Sequence, residues 1–88
     1  MKIIYIGNHP FASYALSEEA NRHGDTFVER KLAQGETLED LQSELISQAA
    51  TVYCFDLTSL PDSEEVLAEE LEQIKQAVNA RILLYAPG

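Results

Sequence analysis

The chain has 88 residues, which is enough for one small domain with a single modest core. Hydrophobic residues make up 45% of it, but no apolar run approaches the roughly 20 residues of a membrane helix, so we expect no membrane partner. Fifteen acids against six bases give a net charge of −9. This charge disfavours nucleic acid as a partner, because phosphate recognition needs clustered Lys and Arg.

The chain opens with the pattern of a buried strand followed by a capped helix. Ile3 to Ile6 is a continuous β-branched and aromatic run, typical of a strand covered on both faces. Asn8 or His9 can cap the next helix, and Pro10 fits its first turn, where its missing N–H would be unpaired anyway. We predict this helix from Phe11 to His23. Its predicted inner face consists of Ala12, Ala15, Leu16 and Ala20.

A polar strand and a second helix follow. Thr26 to Arg30 is short and more polar, which suits an edge strand. Thr37 can cap a second helix that has acids in its first turn, where the positive end of the helix dipole favours them. We predict that this helix runs to about Ala50. Its apolar stripe consists of Leu38, Leu41, Leu45 and Ile46.

The second half of the chain continues the alternation of strand and helix. Val52 to Phe55 is a second buried strand, and Asp56 follows this apolar run directly. Asp62 to Glu65 resembles a capping box in front of a third helix. Ile82 to Tyr85 is a third continuous apolar strand. The third helix has one apolar face at helical spacing, made of Leu67, Leu71, Ile74 and Val78.

The predicted order of elements is βαβαβαβ. Strands that alternate with helices indicate a parallel sheet with right-handed crossovers. Three of the four strands have the composition of buried strands, so helices should cover both faces of the sheet. We therefore predict a three-layer, flavodoxin-like α/β fold with a four-stranded parallel sheet in the order 2-1-3-4, formed by residues 1 to 88 as one domain.

The predicted fold places a candidate site at the carboxyl ends of strands one and three. Ligands of such sheets bind where the strand order reverses. This point brings Asn8 and His9 close to Asp56 and Thr58, and these four residues form the candidate switch-point site. A loop or capping hydrogen bond is the simplest role for Asp56 and for His9. A phosphate-acceptor role for Asp56 remains open.

The fold and Asp56 together resemble the receiver domains of two-component signalling. In that family the aspartate of strand three accepts a phosphoryl group, an acidic pair after strand one holds Mg²⁺, a Ser or Thr ends strand four and a Lys ends strand five. Asp56 matches the acceptor, and Pro61 follows it one residue late. The stretch Gly7 to His9 has no carboxylate. Tyr85-Ala86 stands where a hydroxyl residue followed by Ala would be expected, and strand five with its Lys is absent. Since one carboxylate stands in place of three, Mg²⁺ binding and phosphoryl transfer should be poor.

The chain is more similar to an atypical, or pseudo-, receiver that is truncated after strand four. This resemblance implies a non-catalytic regulatory or protein-interaction module, not an enzyme, that acts by dimerisation or partner docking. Some such domains precede a P-loop ATPase domain, and this chain would then be the N-terminal part of a longer protein. The open edge of strand four invites pairing with a second copy. The expected interaction surface consists of Glu64, Glu65, Glu69, Glu72, Leu84 and Tyr85.

Two alternatives for the function remain. One is a phosphoacceptor receiver that uses Asp56 in an unusual pocket. The other is a small-ligand-binding or enzymatic fragment, because GNHPFASYAL, residues 7 to 16, is similar to the Gly-Thr-Pro-x-Phe-Ala-x-x-x-Leu opening of methionyl-tRNA formyltransferases. In this stretch Pro10 stands one place late, and the catalytic Asn, His and Asp of those enzymes have no counterpart in the chain. The matching residues are Gly7, Phe11, Ala12 and Leu16.

The remaining chemistry-bearing residues indicate neither a metal nor a cofactor. Cys54 is the one cysteine and lies in an apolar run, where cysteine usually acts as a small buried hydrophobe. His9 and His23 are the only histidines, and neither has a second His or Cys near it in the sequence. The start of the chain lacks the small-residue cleavage site of a secretion signal. We therefore expect a reduced, cytoplasmic setting.

Overall fold

The computed structural model of the chain describes residues 1 to 85. Its four strands are all parallel and lie in the order β2-β1-β3-β4. The α/β class, the parallel sheet and the strand order predicted from the sequence are confirmed. The elements in chain order are β1 (Lys2–Ile6), α1 (Pro10–Arg22), β2 (Thr26–Arg30), α2 (Leu38–Gln48), β3 (Val52–Asp56), α3 (Glu64–Ala77) and β4 (Arg81–Tyr85).

Side-chain caps fix the starts of α1 and α2. His9 Nδ1 accepts a hydrogen bond of 3.2 Å from the Ala12 N–H, and Pro10 occupies the first helical position. Thr37 and Asp40 form a reciprocal capping box at the start of α2, in which each side chain accepts the other residue's N–H. These caps satisfy first-turn N–H groups that have no partner within the helix.

The start of α3 differs from the prediction. Ser63 is its N-cap, and the Ser63 hydroxyl accepts a hydrogen bond from the Val66 N–H. The Asp62 carboxylate instead accepts the N–H of Leu38 at the start of α2, at 3.0 Å. The capping box predicted over Asp62 to Glu65 is therefore wrong, because Asp62 reaches across to the neighbouring helix.

The main core lies on the face of the sheet that α2 and α3 cover. Alternate residues of the two central strands point into it, namely Ile4, Ile6, Tyr53 and Phe55. The helices and loops complete it with Leu32, Leu38, Leu41, Leu45, Ala50, Leu60, Leu67 and Ile74. The opposite face carries Tyr5, and α1 packs there against β1 and β2. The sheet therefore lies between two helical layers.

The inner face of α1 differs from the prediction, since Ala20 alone of its four predicted residues is buried and Ala12 is half-buried. Ala15 is exposed, whereas Ser13 and Ala20 are buried. Leu16 lies between Ser13 and Ala20 at helical spacing and is half-buried. The stripe thus begins at a serine, which an apolar pattern does not select.

The strand β4 is not the fully buried strand that its composition predicts. Among residues 1 to 85 it pairs only with β3, so it forms one edge of the sheet. The side chain of Leu83 is 38% exposed and that of Leu84 is 55% exposed, on opposite faces of this edge. The apolar run therefore marks an open edge, because no described element covers the outer side of β4.

Candidate functional site

The candidate site forms where β1 and β3 end side by side. β1 is followed by Gly7, and β3 ends at Asp56. A Cβ atom placed on Gly7 would stand 2.4 Å from the Cβ of Asp56 and 2.8 Å from the hydroxyl oxygen of Tyr5. Glycine is therefore required at this position, because any side chain would displace one of these groups.

Asp56 is completely buried, with 0% of its surface exposed. Its Oδ1 accepts hydrogen bonds from the Thr58 N–H at 3.0 Å and from the Thr58 hydroxyl at 2.6 Å. Its Oδ2 accepts the hydroxyl of Ser59 at 2.8 Å and that of Tyr5 at 3.2 Å. Four donors from the same chain thus satisfy the hydrogen-bonding capacity of the carboxylate.

Burial and hydrogen bonding act on the pKa of Asp56 in opposite directions. Burial is the largest single influence and raises the pKa, whereas the hydrogen bonds from Thr58, Ser59 and Tyr5 lower it. Together the hydrogen bonds outweigh the effect of burial, so the pKa of Asp56 lies below its usual value and the carboxylate is ionised at neutral pH. Burial, with the nearby Asp56 charge adding to it, raises the pKa of Tyr5 to about 12, so its hydroxyl keeps the proton that it donates.

Two hydroxyl groups connect Asp56 to the loop that precedes α1. The Tyr5 hydroxyl accepts the His9 N–H at 3.1 Å, and the Ser59 hydroxyl accepts the Asn8 N–H at 3.0 Å. Each hydroxyl also donates to Asp56 Oδ2. Asp56 therefore positions the β1–α1 loop through these two side chains, in addition to its close packing against Gly7.

The side chains of the predicted site residues Asn8 and His9 form their hydrogen bonds with groups other than Asp56. The Asn8 amide binds the backbone of Leu32 twice: its Oδ1 accepts the N–H at 2.9 Å, and its Nδ2 donates to the C=O at 3.2 Å. The His9 ring caps α1 and lies edge-on to the ring of Tyr85, with centroids 5.4 Å apart. Of the four predicted site residues, only Asp56 and Thr58 are in direct side-chain contact.

Sequence reasoning missed Tyr5 and the hydrogen bonds of Ser59 as parts of this site. Tyr5 belongs to an apolar strand, whose pattern predicts only that its ring is buried. Its hydroxyl is the signal that could have identified it, because a buried tyrosine O–H needs a partner and Asp56 ends the neighbouring strand. The position of Ser59 depends on the turn after β3, which no pattern in the sequence specifies.

The expected interaction surface divides into three parts in the structure. Glu64, Glu72 and Leu84 line a groove between α3 and β4, which we call the α3–β4 groove. Glu65 and Glu69 are exposed on α3 but do not line it. Tyr85 is half-buried beside His9. The other residues of the groove are Leu57, Leu67, Ala68, Leu71, Lys75, Ala80, Arg81 and Ile82.

Comparison with protein-family models, with curated proteins and with solved structures gives no match for this chain. The resemblances to receivers and to formyltransferases therefore rest on the residues quoted above, of which Ala86 lies outside the described part of the chain. Residues 1 to 85 contain no group of three or more His, Cys, Asp or Glu side chains placed to hold a metal ion. None of the helices in the same range combines the length and the apolar character needed to cross a membrane.

Proposed function

We propose that this chain is a non-catalytic regulatory or protein-interaction module with a receiver-like fold. The observation that carries the proposal is the enclosure of Asp56, which is 0% exposed and accepts four hydrogen bonds from its own chain. The Asp56 carboxylate at the switch point thereby positions the β1–α1 loop through Tyr5 and Ser59. We therefore propose that the domain acts through its surfaces and not through a reactive site.

The alternative of a phosphoacceptor receiver has less support. Phosphoryl transfer to Asp56 needs an accessible carboxylate oxygen and a cation beside it. Both oxygens are occupied by hydroxyl and N–H donors, and the loop from Gly7 to His9 adds no carboxylate to bind Mg²⁺. These observations favour a structural role for Asp56.

The proposed docking surface is the exposed side of α3 together with the outer edge of β4. An uncovered strand offers unpaired backbone groups to a partner. Leu84 adds apolar surface beside that edge, since 55% of its surface is exposed. We propose docking of a protein, either a second copy or another chain such as a P-loop ATPase, in a cytoplasmic setting that suits the buried, unpaired Cys54.

Phosphorylation by a small-molecule donor tests the proposal. The chain would be incubated with acetyl phosphate and Mg²⁺, and its intact mass would be measured beside that of the Asp56→Asn variant. We expect no phosphoryl adduct in either protein, because no oxygen of Asp56 is free to attack. An adduct in the natural chain that is absent from Asp56→Asn would contradict the proposal.

A further inference from the structure

The backbone of β4 exposes a defined set of hydrogen-bonding groups. At its start the Arg81 N–H donates to the Thr51 C=O at 3.0 Å, and at its end the Tyr85 C=O accepts the Leu57 N–H at 2.9 Å. The N–H and C=O of one strand residue point to the same side, and the side alternates along the strand. Arg81 and Tyr85 therefore face β3, and so does Leu83 between them.

The two intervening residues, Ile82 and Leu84, direct their N–H and C=O groups to the open side. Among residues 1 to 85 no other strand lies there. An added strand could therefore form four backbone hydrogen bonds with these two residues. Such an edge recruits another strand readily when its side chains are apolar.

Antiparallel pairing of β4 with itself uses all four of these groups. Ile82 of one copy lies opposite Leu84 of the other, and two such hydrogen-bonded pairs form by symmetry. The two-fold axis then passes between the two copies of Leu83, which form a non-hydrogen-bonded pair with Cα atoms about 4.5 Å apart. A single register therefore satisfies every outward backbone group of the described strand.

The same register covers the exposed apolar side chains of the edge. Leu83 meets Leu83 of the second copy on the α1 face, and Ile82 lies beside Leu84 of the second copy on the α3 face. Leu83 is 38% exposed and Leu84 is 55% exposed in the single chain. Arg81 of one copy lies opposite Tyr85 of the second copy in this register, and the Tyr85 ring provides a surface for the Arg81 guanidinium.

The side of α3 that faces the groove is complementary to itself. Glu64, Ala68, Leu71 and Lys75 form one stripe, spaced by four, three and four residues. An antiparallel copy centred between Ala68 and Leu71 would place Glu64 opposite Lys75 and Ala68 opposite Leu71. The acidic end of each helix thereby meets the basic end of the other.

The α3–β4 groove is also the place where the strong negative charge of the chain is balanced. Two acids, Glu64 and Glu72, and two bases, Lys75 and Arg81, line it. Neither base forms an ion pair with another described residue. A net charge of −9 opposes self-association as a whole, but this neutral strip adds no local repulsion to it.

We propose that the occupant of this edge is a second copy of the chain. The two copies pair β4 antiparallel about Leu83 and form one continuous eight-stranded sheet, with the two α3 helices side by side on one face. The inference rests on the proposed function, since it names the partner of the docking surface.

Charge reversals measured by sedimentation equilibrium test this pairing. Glu64→Lys alone or Lys75→Glu alone replaces two attractive contacts of the symmetric dimer by two repulsive ones, and we expect the dimer to weaken by about tenfold. The double variant restores both contacts and should dimerise as the natural chain does. A mixture of the two single variants should form the heterodimer. Glu65→Lys is the matched control, because it changes the charge equally outside the groove.

A backbone variant tests the edge itself. Leu84→Pro removes an N–H that faces outward, so the pairing with β3 is kept while one hydrogen bond per copy is lost across the dimer. Leu84→Ala keeps that N–H and separates the loss of apolar contact from the loss of the hydrogen bond. We expect Leu84→Pro to be a folded monomer by circular dichroism and sedimentation, and Leu84→Ala to be a weakened dimer.

Two results would overturn the self-pairing. One is a natural chain that remains at its monomer mass of 9.8 kDa up to millimolar concentration. The other is a dimer that neither Leu84→Pro nor the charge reversals weaken, since its interface would lie elsewhere. Neither result bears on phosphorylation of Asp56, so the mass measurement with acetyl phosphate decides the proposed function separately.

Discussion

Asp56 connects sequence and structure most clearly at the scale of single residues. An acid at the end of an apolar strand indicated a site, and the structure surrounds that acid with four donors. The sequence located the position of this carboxylate. It could not reveal the donors, because Tyr5 is distant in the chain and Ser59 depends on the geometry of a turn.

Replacement of Asp56 by Asn tests its structural role. The amide of Asn places a donor against groups that already donate, so we expect the free energy of unfolding to fall by about 2 kcal/mol at neutral pH. The pKa of Asp56 is lowered in the folded chain, so its stabilising contribution is present above the usual value of 3.8 and is lost as the pH falls through the folded pKa. Urea titrations of both proteins should therefore converge at low pH. A constant difference across the pH range would contradict this role.

Gly7 gives a second prediction for single residues. Gly7→Ala forces a methyl group into the space between Asp56 and the Tyr5 hydroxyl, and we expect a loss of about 2 kcal/mol or more in the free energy of unfolding. Gly24→Ala is the control, since no atom lies within 4 Å of its Cβ position and only its φ of +72° opposes a side chain. That variant should lose about 1 kcal/mol. Equal losses in thermal unfolding would show that close approach at Gly7 is unimportant.

Among the elements, α3 carries an unusual carboxylate. Glu70 is only 9% exposed, and its Oε2 has no hydrogen-bond partner among the described residues. Burial raises its pKa, and the charges of Glu39, Glu69 and Asp62 raise it further. A raised pKa in the folded state means that ionisation costs stability, so this cost appears as the pH rises above the usual value of 4.5.

Removal of this charge should stabilise the chain. We expect Glu70→Gln to raise the free energy of unfolding by about 1 kcal/mol at pH 7 and by less below pH 4.5, because the buried group no longer ionises. Glu69→Gln, on the exposed side of the same helix, should change stability little. Chemical unfolding at both pH values measures the difference, and a destabilised Glu70→Gln would refute the explanation.

The elements also show where prediction from the sequence ends. Local signals located every helix and strand to within a few residues, because caps and apolar periodicity act between near neighbours. The prediction of a capping box at Asp62 was wrong, because the Asp62 side chain accepts the N–H of Leu38 at the start of a different helix. The prediction that β4 is buried was wrong, because the composition of a strand does not determine whether another strand lies beside it.

The whole molecule combines a closed switch point with an open sheet edge. The fold follows from the order of elements, since alternation with right-handed crossovers leaves few arrangements of four parallel strands. The site does not follow in the same way, because Asn8 and His9 have the predicted position but use their side chains on Leu32 and on α1. This arrangement is the basis of our proposal that the surfaces of α3 and β4 carry the function.

Amide NMR spectra with and without Mg²⁺ and beryllofluoride would show whether the switch point is closed around Asp56. Beryllofluoride imitates a phosphoryl group on an accessible aspartate. We expect the amide signals of Asn8, Asp56 and Thr58 not to move, because the donors of Asp56 exclude the mimic. Shifts clustered on these residues, and absent from Asp56→Asn, would contradict it and establish a working acceptor site.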